Sequence, residues 1–411
     1  MLSNIINKRI EYYSVVLALI LFSNSTTTFT DPMLLLIITS LYFGVSMYFR
    51  KPNYKLFVVL GIFIFHSILL YLRFNSFLLQ FTIKNICYVL IAFSVASITR
   101  VKFIYYSEKA IVILSKISLF FFFIEILNIN FLYKFIRAIQ NFFLIKIDEL
   151  YASSIDFYST ILIYTINHTS SGLFSYRNSG FTFEPGAFAC FLLIGILFNL
   201  LLNKFKLNKN LYILIITLFS TQSTTGLIGL ILLYVFYLFQ TQKFNFSKII
   251  LPVLLIAVLF FYSNFGLPKL QQILTTDFNI DYAIERATDY DKFVSLGRFG
   301  GLLYTWQYEI PHSPYFGLGT LLMENELLGT ASGIAVFIRT FGIIGFLILL
   351  FTFLKSAIFY TLLARRKAGY LLIFLLFIVM IFSFGIQSLI FFWIVLLMFY
   401  FTNKEKLYKT I

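Results

Sequence analysis

Long apolar runs recur along almost the whole chain, and they limit what it can fold into. Each run has roughly 17–22 residues, enough for a helix to cross about 30 Å of hydrocarbon. The runs are continuously apolar and do not alternate with polar residues, which favours helices over barrel strands. The sequence predicts an all-α polytopic membrane protein with about twelve transmembrane helices. The predicted spans are 11–23, 33–49, 55–72, 77–98, 110–127, 186–202, 210–222, 225–240, 248–262, 333–354, 370–384 and 387–402.

Composition and charge agree with this class. The chain is 60% hydrophobic and 12% charged, whereas soluble domains contain about 25% charged residues. The net charge of +15 could indicate nucleic-acid binding, but the basic residues cluster in short loops between apolar runs. That distribution is typical of cytoplasmic loops, so no nucleic-acid partner is expected. The two cysteines, Cys87 and Cys190, lie in predicted spans, which argues against a disulfide framework or a metal site.

The distribution of Lys and Arg also sets the predicted orientation. One set of loops holds twenty basic and three acidic residues, while the other side and the interior hold twelve basic and fourteen acidic residues. The first set, which includes both termini, is therefore expected in the cytoplasm. We expect one integral membrane domain over 1–411, with a first outer loop at 128–185 and a large outer loop at 263–332. Tyr133–Lys146 is patterned as an interfacial helix, and short helices are expected in the large loop.

The first candidate site lies where the first outer loop re-enters the membrane. Arg177 and Glu184 are brought near one interface there, and Pro185 suits the first turn of a helix. The alternative interpretation is purely structural. In that case Arg177 is an interfacial arginine and Glu184 faces the positive end of a helix dipole.

The second candidate lies in the large outer loop. Arg298 offers a planar fork of donors suited to phosphate oxygens. His312 is the only histidine of this loop and hence the obvious candidate base. Alternatively, Arg298 pairs with Asp289 or Asp291, and His312 is a solvated loop residue.

Two further polar groups lie at the outer ends of spans. Arg339 is one or two turns inside the tenth span, where a charge is expensive and commonly faces a cavity or a partner. The polar turn Ser220–Gly226, which includes Ser223 and Thr224, could bind sugar hydroxyls or simply pack helix ends. His66 stands alone in mid-span and is expected to be structural.

Taken in order, these patches resemble the Wzy-type polysaccharide polymerases of the O-antigen polymerase and ligase superfamily. The residues that carry the resemblance are Arg177-x-x-Gly180-x-x-x-Glu184-Pro185-Gly186, Ser223-Thr-Thr-Gly226, Gly297-Arg298, Pro314, Gly317-x-Gly319 and Gly342-Ile-Ile-Gly345. They cover roughly the second half of the chain, and each motif is short. One departure is that the stretch before the last motif, Gly329–Gly333, has no histidine, so a histidine base would have to be His312.

The resemblance implies a fold like that of GT-C-type membrane glycosyltransferases, in the bacterial inner membrane. It implies polymerisation of O-antigen or capsular polysaccharide. The growing glycan would pass from undecaprenyl pyrophosphate to a hydroxyl of the next lipid-linked repeat unit, without a metal or cofactor. The implied catalytic residues are Arg298, His312 and Glu184, and the implied substrate-binding residues are Arg177, Arg339, Ser223 and Thr224. The implied partners are these lipid-linked glycans, the bilayer, a chain-length regulator and a flippase.

Two other functions stay open. One is an O-antigen ligase that transfers glycan to lipid A core. The other is a lipid-linked oligosaccharide flippase or transporter, which predicts related halves and charges along a path through the midplane. The sequence has no detectable internal repeat, and its notable charges lie in the outer half, which favours a transferase.

Overall fold

The computed structural model describes residues 2–21, 23, 31–52, 54–74, 79–143, 145, 157–168, 176–241, 294–319, 328–330, 332–364 and 369–402. Helices dominate these residues. Their bounds are α1 (Leu2–Leu21), α2 (Pro32–Phe49), α3 (Tyr54–Phe74), α4 (Leu79–Thr99), α5 (Lys102–Leu127), α6 (Ile129–Phe142), α7 (Pro185–Leu202), α8 (Lys209–Ser220), α9 (Thr224–Gln240), α10 (Arg298–Tyr304), α11 (Gly333–Leu362), α12 (Tyr370–Ser383) and α13 (Ile390–Phe401).

Six of the described helices are long and apolar enough to cross a membrane, namely α2, α3, α4, α5, α7 and α11. Four shorter apolar helices accompany them, namely α8, α9, α12 and α13. The chain therefore has the make-up of an all-α, multi-pass membrane protein, as predicted. The span predicted at 248–262 lies outside the described residues.

Helix α7 forms the centre of the helix bundle. All but the last of its residues are buried, and α5, α8, α9 and α13 surround it. A helix that is apolar on every side belongs in such a position. Close approach is possible because Gly195 has no side chain: a Cβ there would lie 2.9 Å from the side chain of Ile111. In hydrocarbon, small residues of this kind stabilise helix pairs through van der Waals packing.

The segment predicted as the first outer loop contains a helix close to the predicted position, together with a hairpin that the sequence did not predict. Helix α6 begins at Ile129, after the N-cap Asn128, and covers most of the predicted stretch. Strands β1 (Phe157–Ile161) and β2 (Tyr164–His168) pair antiparallel. Ile136 and Tyr164 pack in one apolar cluster that joins the hairpin to α6.

The described part of the segment predicted as the large outer loop has short helices and turns, together with two strands that the sequence did not predict. After α10 the chain forms a π-helical turn, Thr305–Glu309, and then a 3₁₀ turn, Ile310–His312. A short parallel pair joins β3 (Val294–Leu296), in the middle of this loop, to β4 (Leu328–Thr330), near its end.

Helix α11 differs from the uninterrupted span predicted at 333–354. It continues to Leu362, and its backbone is broken at Gly342, where φ is 67° and ψ is −173°. This region of backbone space is essentially restricted to glycine. The break divides α11 into an N-terminal segment of about nine residues and a longer C-terminal segment.

Candidate functional site

Arg177 ties the first candidate segment to the polar turn between α8 and α9. Its guanidinium donates from Nε to the carbonyl of Thr221, at 3.3 Å, and from Nη2 to the carbonyl of Gln222, at 3.4 Å. The Gln222 amide donates in return to the carbonyl of Tyr176, at 3.1 Å. Two segments that were separate candidates in the sequence are therefore one structural unit.

The turn that follows Arg177 is held by a buried amide. The Asn178 Nδ2 donates to the hydroxyls of Ser118, at 3.1 Å, and Ser220, at 2.9 Å. Its Oδ1 accepts from the backbone N–H of Gly180, at 2.9 Å. Gly180 has φ +54°, and a Cβ there would overlap the ring of Phe188 at 2.5 Å. Only glycine fits this turn, which fixes the path of the chain towards Glu184.

Glu184 and Arg298 converge on the N-terminal end of α7. Glu184 is the N-cap of this helix and Pro185 occupies its first turn, as the sequence predicted. A Cβ placed on Gly186 would lie 3.2 Å from Glu184 Oε1 and 3.8 Å from Arg298 Nη2. The structure therefore brings together a carboxylate and a guanidinium that lie more than a hundred residues apart in the sequence.

One nitrogen of the Arg298 guanidinium is buried. Its Nε is inaccessible and has no hydrogen-bond acceptor among the described residues. A buried donor left in this way costs about 1–3 kcal/mol, and a bound anion would remove that cost. Asp289 and Asp291, the alternative partners considered from the sequence, lie outside the described residues.

A second charged pair lies at the far end of the same outer segment. Arg339 Nη1 lies 3.0 Å from Glu309 Oε1, and the side chains are 4% and 2% exposed. Glu309 also accepts a 2.6 Å hydrogen bond from the Thr305 hydroxyl, across the π-helical turn. The sequence analysis missed Glu309, although it is the only acidic residue between Arg298 and Pro314.

The segment after His312 fills the break in α11. Four backbone hydrogen bonds link the two: Leu318 N to Arg339 O at 2.7 Å, Gly319 N to Thr340 O at 3.2 Å, Ile343 N to Pro314 O at 2.9 Å, and Ile344 N to Tyr315 O at 3.2 Å. Gly317 and Gly342 cross at backbone distance, since a Cβ on Gly317 would lie 2.6 Å from Gly342 N. Two glycine motifs that were separate in the sequence thus form one joint. It satisfies backbone groups that hydrocarbon could not.

Helix α3 holds this segment at two points. Arg73 Nη2 donates to the carbonyl of His312 at 2.5 Å. Seven residues earlier in α3, His66 Nε2 lies 2.7 Å from the carbonyl oxygen of Phe316. It donates to this oxygen in the tautomer protonated at Nε2. Seven helical residues correspond to about 10 Å. His66, expected to be structural, therefore contacts this segment about 10 Å along α3 from Arg73.

The side chain of His312 is not paired with the charged residues Glu184, Arg298, Glu309 or Arg339. Its side chain is exposed, and it makes no hydrogen bond or ion pair with the residues that the structure describes. Only its backbone carbonyl is engaged, by Arg73. The arrangement therefore favours Glu184 over His312 as the group nearest Arg298.

Ser223 and Thr224 lie where α9 begins. The Ser223 hydroxyl accepts from the backbone N–H of Gly226, at 3.4 Å, as the N-cap of α9. Thr224 is the first residue of the helix and is half-buried. The capping role of Ser223 corresponds to the structural alternative considered for this turn.

Helix α10 and the π-helical turn after it connect two groups of charged residues: Glu184 with Arg298, and Glu309 with Arg339. Arg298 lies at the start of this segment, near α7, and Glu309 at its end, against α11. Eleven residues of helix span about 16 Å. π-helical turns occur frequently at functional sites, where they redirect a side chain. A single helical segment therefore carries both Arg298 and Glu309.

No protein-family model, curated protein or solved structure matches this chain. Its function is therefore inferred from these residues and their geometry.

Proposed function

We propose that this chain is a membrane glycosyltransferase that polymerises lipid-linked oligosaccharide repeat units into O-antigen or capsular polysaccharide. The proposal includes about twelve spans, a GT-C-like fold, the bacterial inner membrane and cytoplasmic termini. One observation supports it most. The Arg298 guanidinium, with a buried donor that has no acceptor among the described residues, lies beside Glu184 over the first turn of α7.

The leaving group of this reaction is a lipid pyrophosphate. Its negative charge grows as the glycosidic bond breaks, and fixed cations and dipoles in a water-poor site stabilise that charge. Arg298 supplies a fork of N–H donors matched to phosphate oxygens. The N-terminal end of α7 adds the positive end of a helix dipole, which favours anions in the same place.

The acceptor is a sugar hydroxyl of the next repeat unit. Its oxygen attacks the anomeric carbon of the donor glycan, and the bond from that carbon to the pyrophosphate oxygen breaks. The electron pair leaves with the pyrophosphate, and Glu184 takes the hydroxyl proton. A single displacement of this kind inverts the anomeric centre.

In this proposal, Arg177 and Arg339 stabilise the folded geometry of the site and do not contact the substrate. Arg177 donates to two backbone carbonyls of the α8–α9 turn. Arg339 is paired with Glu309 in the protein interior. Catalytic groups need support of this kind, because small displacements of a reacting geometry lower the rate steeply.

One observation favours a second candidate, a flippase for lipid-linked oligosaccharides. The break in α11, with the chain segment Pro314–Gly319 that fills it, resembles the discontinuous helices of transporters. Transporters built on repeats carry such helices in pairs. Among the described helices, non-helical backbone occurs inside α11 alone.

Deleting the gene in its own host and examining the surface glycan by gel separates these functions. The proposal predicts a collapse of the ladder to core carrying one repeat unit. Restored Arg298→Ala or Glu184→Gln copies should not rebuild the ladder, whereas the matched control Arg137→Ala, on the exposed face of α6, should. Polymer on the lipid carrier but none on the core would indicate a ligase. Repeat units accumulating on the cytoplasmic side would indicate a flippase.

A further inference from the structure

A long groove lies between α1 and α2, away from the charged clusters. Its cavity of about 450 Å³ is lined almost wholly by apolar side chains and extends along α1 from Ile6 to Leu21. Fifteen helical residues correspond to about 22 Å. That length exceeds the depth of one hydrocarbon leaflet, about 15 Å, so an extended lipid chain fits along it.

The floor of the groove is fixed and its walls face outward. The Tyr42 hydroxyl donates to the backbone carbonyl of Ser14, at 2.8 Å, and joins the two helices. Ile98 of α4 is buried beneath them. The wall residues Leu17 and Leu41 are 45% and 65% exposed. The groove is therefore preformed and opens sideways, towards lipid.

One end of the groove carries positive charge that the described residues do not neutralise. Arg9 lines this end, is exposed and makes no hydrogen bond or ion pair within the described part of the chain. Lys8 lies next to it and is also exposed. The nearby carboxylate of Glu11 is already engaged by Lys102, at 2.9 Å. The mouth of the groove is thus suited to an anion at the membrane surface.

We propose that this groove binds an anionic phospholipid, with one acyl chain between α1 and α2 and the phosphate at Arg9. The apolar walls require a hydrocarbon chain, and the uncompensated cation selects a headgroup with net negative charge. A zwitterionic lipid would fit the walls without that charge complementarity. The inference does not depend on the proposed glycosyltransferase reaction, because the groove is lined by none of its candidate residues.

Native mass spectrometry of the full chain, purified in detergent with equal phosphatidylglycerol and phosphatidylcholine, tests the headgroup. Wild-type protein should retain phosphatidylglycerol preferentially. Arg9→Gln should weaken that retention about fivefold, the change expected when one cation leaves an anionic surface, and should leave phosphatidylcholine unaffected. The matched control Lys206→Gln removes another exposed cation and should change nothing. Equal retention of the two lipids, or no effect of Arg9→Gln, would overturn the proposal.

Crosslinking tests the location. A phosphatidylglycerol with a photoreactive group in its acyl chain should label peptides around Leu17 and Leu41. Leu17→Trp, which fills the groove, should remove this labelling, whereas Leu347→Trp on the exposed face of α11 should not. Labels spread evenly over all lipid-facing helices would mean a non-selective lipid layer and would contradict a bound site.

Discussion

The guanidinium of Arg339 lies 3.0 Å from the carboxylate of Glu309, and the two side chains are 4% and 2% exposed. Charges buried at membrane depth are rare because desolvation is costly, and they persist where a partner compensates them. Arg339 lies just before the break in α11, and its backbone carbonyl accepts from Leu318 N–H of the segment that fills the break. The pair therefore links the π-helical turn to the joint formed by Gly317 and Gly342.

Breaking this pair should destabilise the protein strongly. Glu309→Ala leaves Arg339 buried without its carboxylate, and we expect a loss of about 3–5 kcal/mol. Lys102→Ala is the control, because Lys102 pairs with Glu11 while 48% exposed and should cost no more than about 1 kcal/mol. Thermal unfolding in detergent measures both. The double variant Glu309→Ala/Arg339→Ala should lose less than the sum of the single variants, and strict additivity would mean that the two side chains are not coupled.

The glycine joint should tolerate no side chain. Gly342→Ala must force alanine into a conformation essentially restricted to glycine and push a Cβ to 2.3 Å from Tyr315 O. We expect a loss of at least about 1–3 kcal/mol, measured as a lower melting temperature. Gly61→Ala in α3 is the matched control, since no atom lies within 4 Å of its Cβ position. It should be neutral or stabilising by up to about 1 kcal/mol. Equal melting of the two variants would show that the joint is not as tight as described.

One buried hydrogen bond ties the hairpin of residues 157–168 to α5. The Tyr164 hydroxyl donates to Glu125 Oε2 at 2.5 Å, and Glu125 is fully buried. Burial raises the pKa of Tyr164 well above its usual value, so this hydroxyl stays a donor across the physiological range. Tyr164→Phe should cost about 1–3 kcal/mol and expose residues 157–168 to protease.

Tyr105→Phe provides the comparison for that variant. Tyr105 is 50% exposed, so the substitution should leave proteolysis unchanged. If Tyr164→Phe also leaves the cleavage rate unchanged, the bond to Glu125 does not hold the hairpin in place.

The helices could be predicted because hydrocarbon imposes long apolar runs. The predicted span 33–49 corresponds to α2, Pro32–Phe49. Helix α5 was predicted at 110–127 but begins at Lys102. The predicted start lies after Glu108, a charged residue that is nevertheless part of the helix. That carboxylate is buried and accepts a 2.7 Å hydrogen bond from Asn199 of α7. A partner from a distant helix makes the charge acceptable, and no local pattern reveals such a partner.

The site was predictable in its parts but not in its assembly. Arg177, Glu184 and Arg298 stood out because charges beside apolar runs are conspicuous. The hairpin was missed because its turn, Leu162-Ile163, lacks the Gly, Asn or Asp typical of tight turns. The break at Gly342 was missed because glycine is common inside uninterrupted membrane helices. Contacts across the fold decide these features, and a linear pattern does not contain them.

The orientation of the chain can be measured with a membrane-impermeant maleimide. Lys206→Cys, in a loop on the predicted cytoplasmic side, should stay unlabelled in intact cells and react only after permeabilisation. His312→Cys, which replaces an exposed residue of the large outer loop, should react in intact cells. The native Cys87 and Cys190 are buried and should remain silent. The reverse labelling pattern would invert the proposed topology.

The central claim is tested most directly by reconstitution. Purified protein in proteoliposomes is supplied with repeat units on undecaprenyl pyrophosphate, with a chelator present, and the products are resolved by gel. We predict a ladder of successive repeat units and release of the lipid pyrophosphate, with Arg298→Ala slower by about 10²–10³-fold. Absence of any polymer from folded protein, or a full rate for Arg298→Ala, would contradict the proposed reaction and its site.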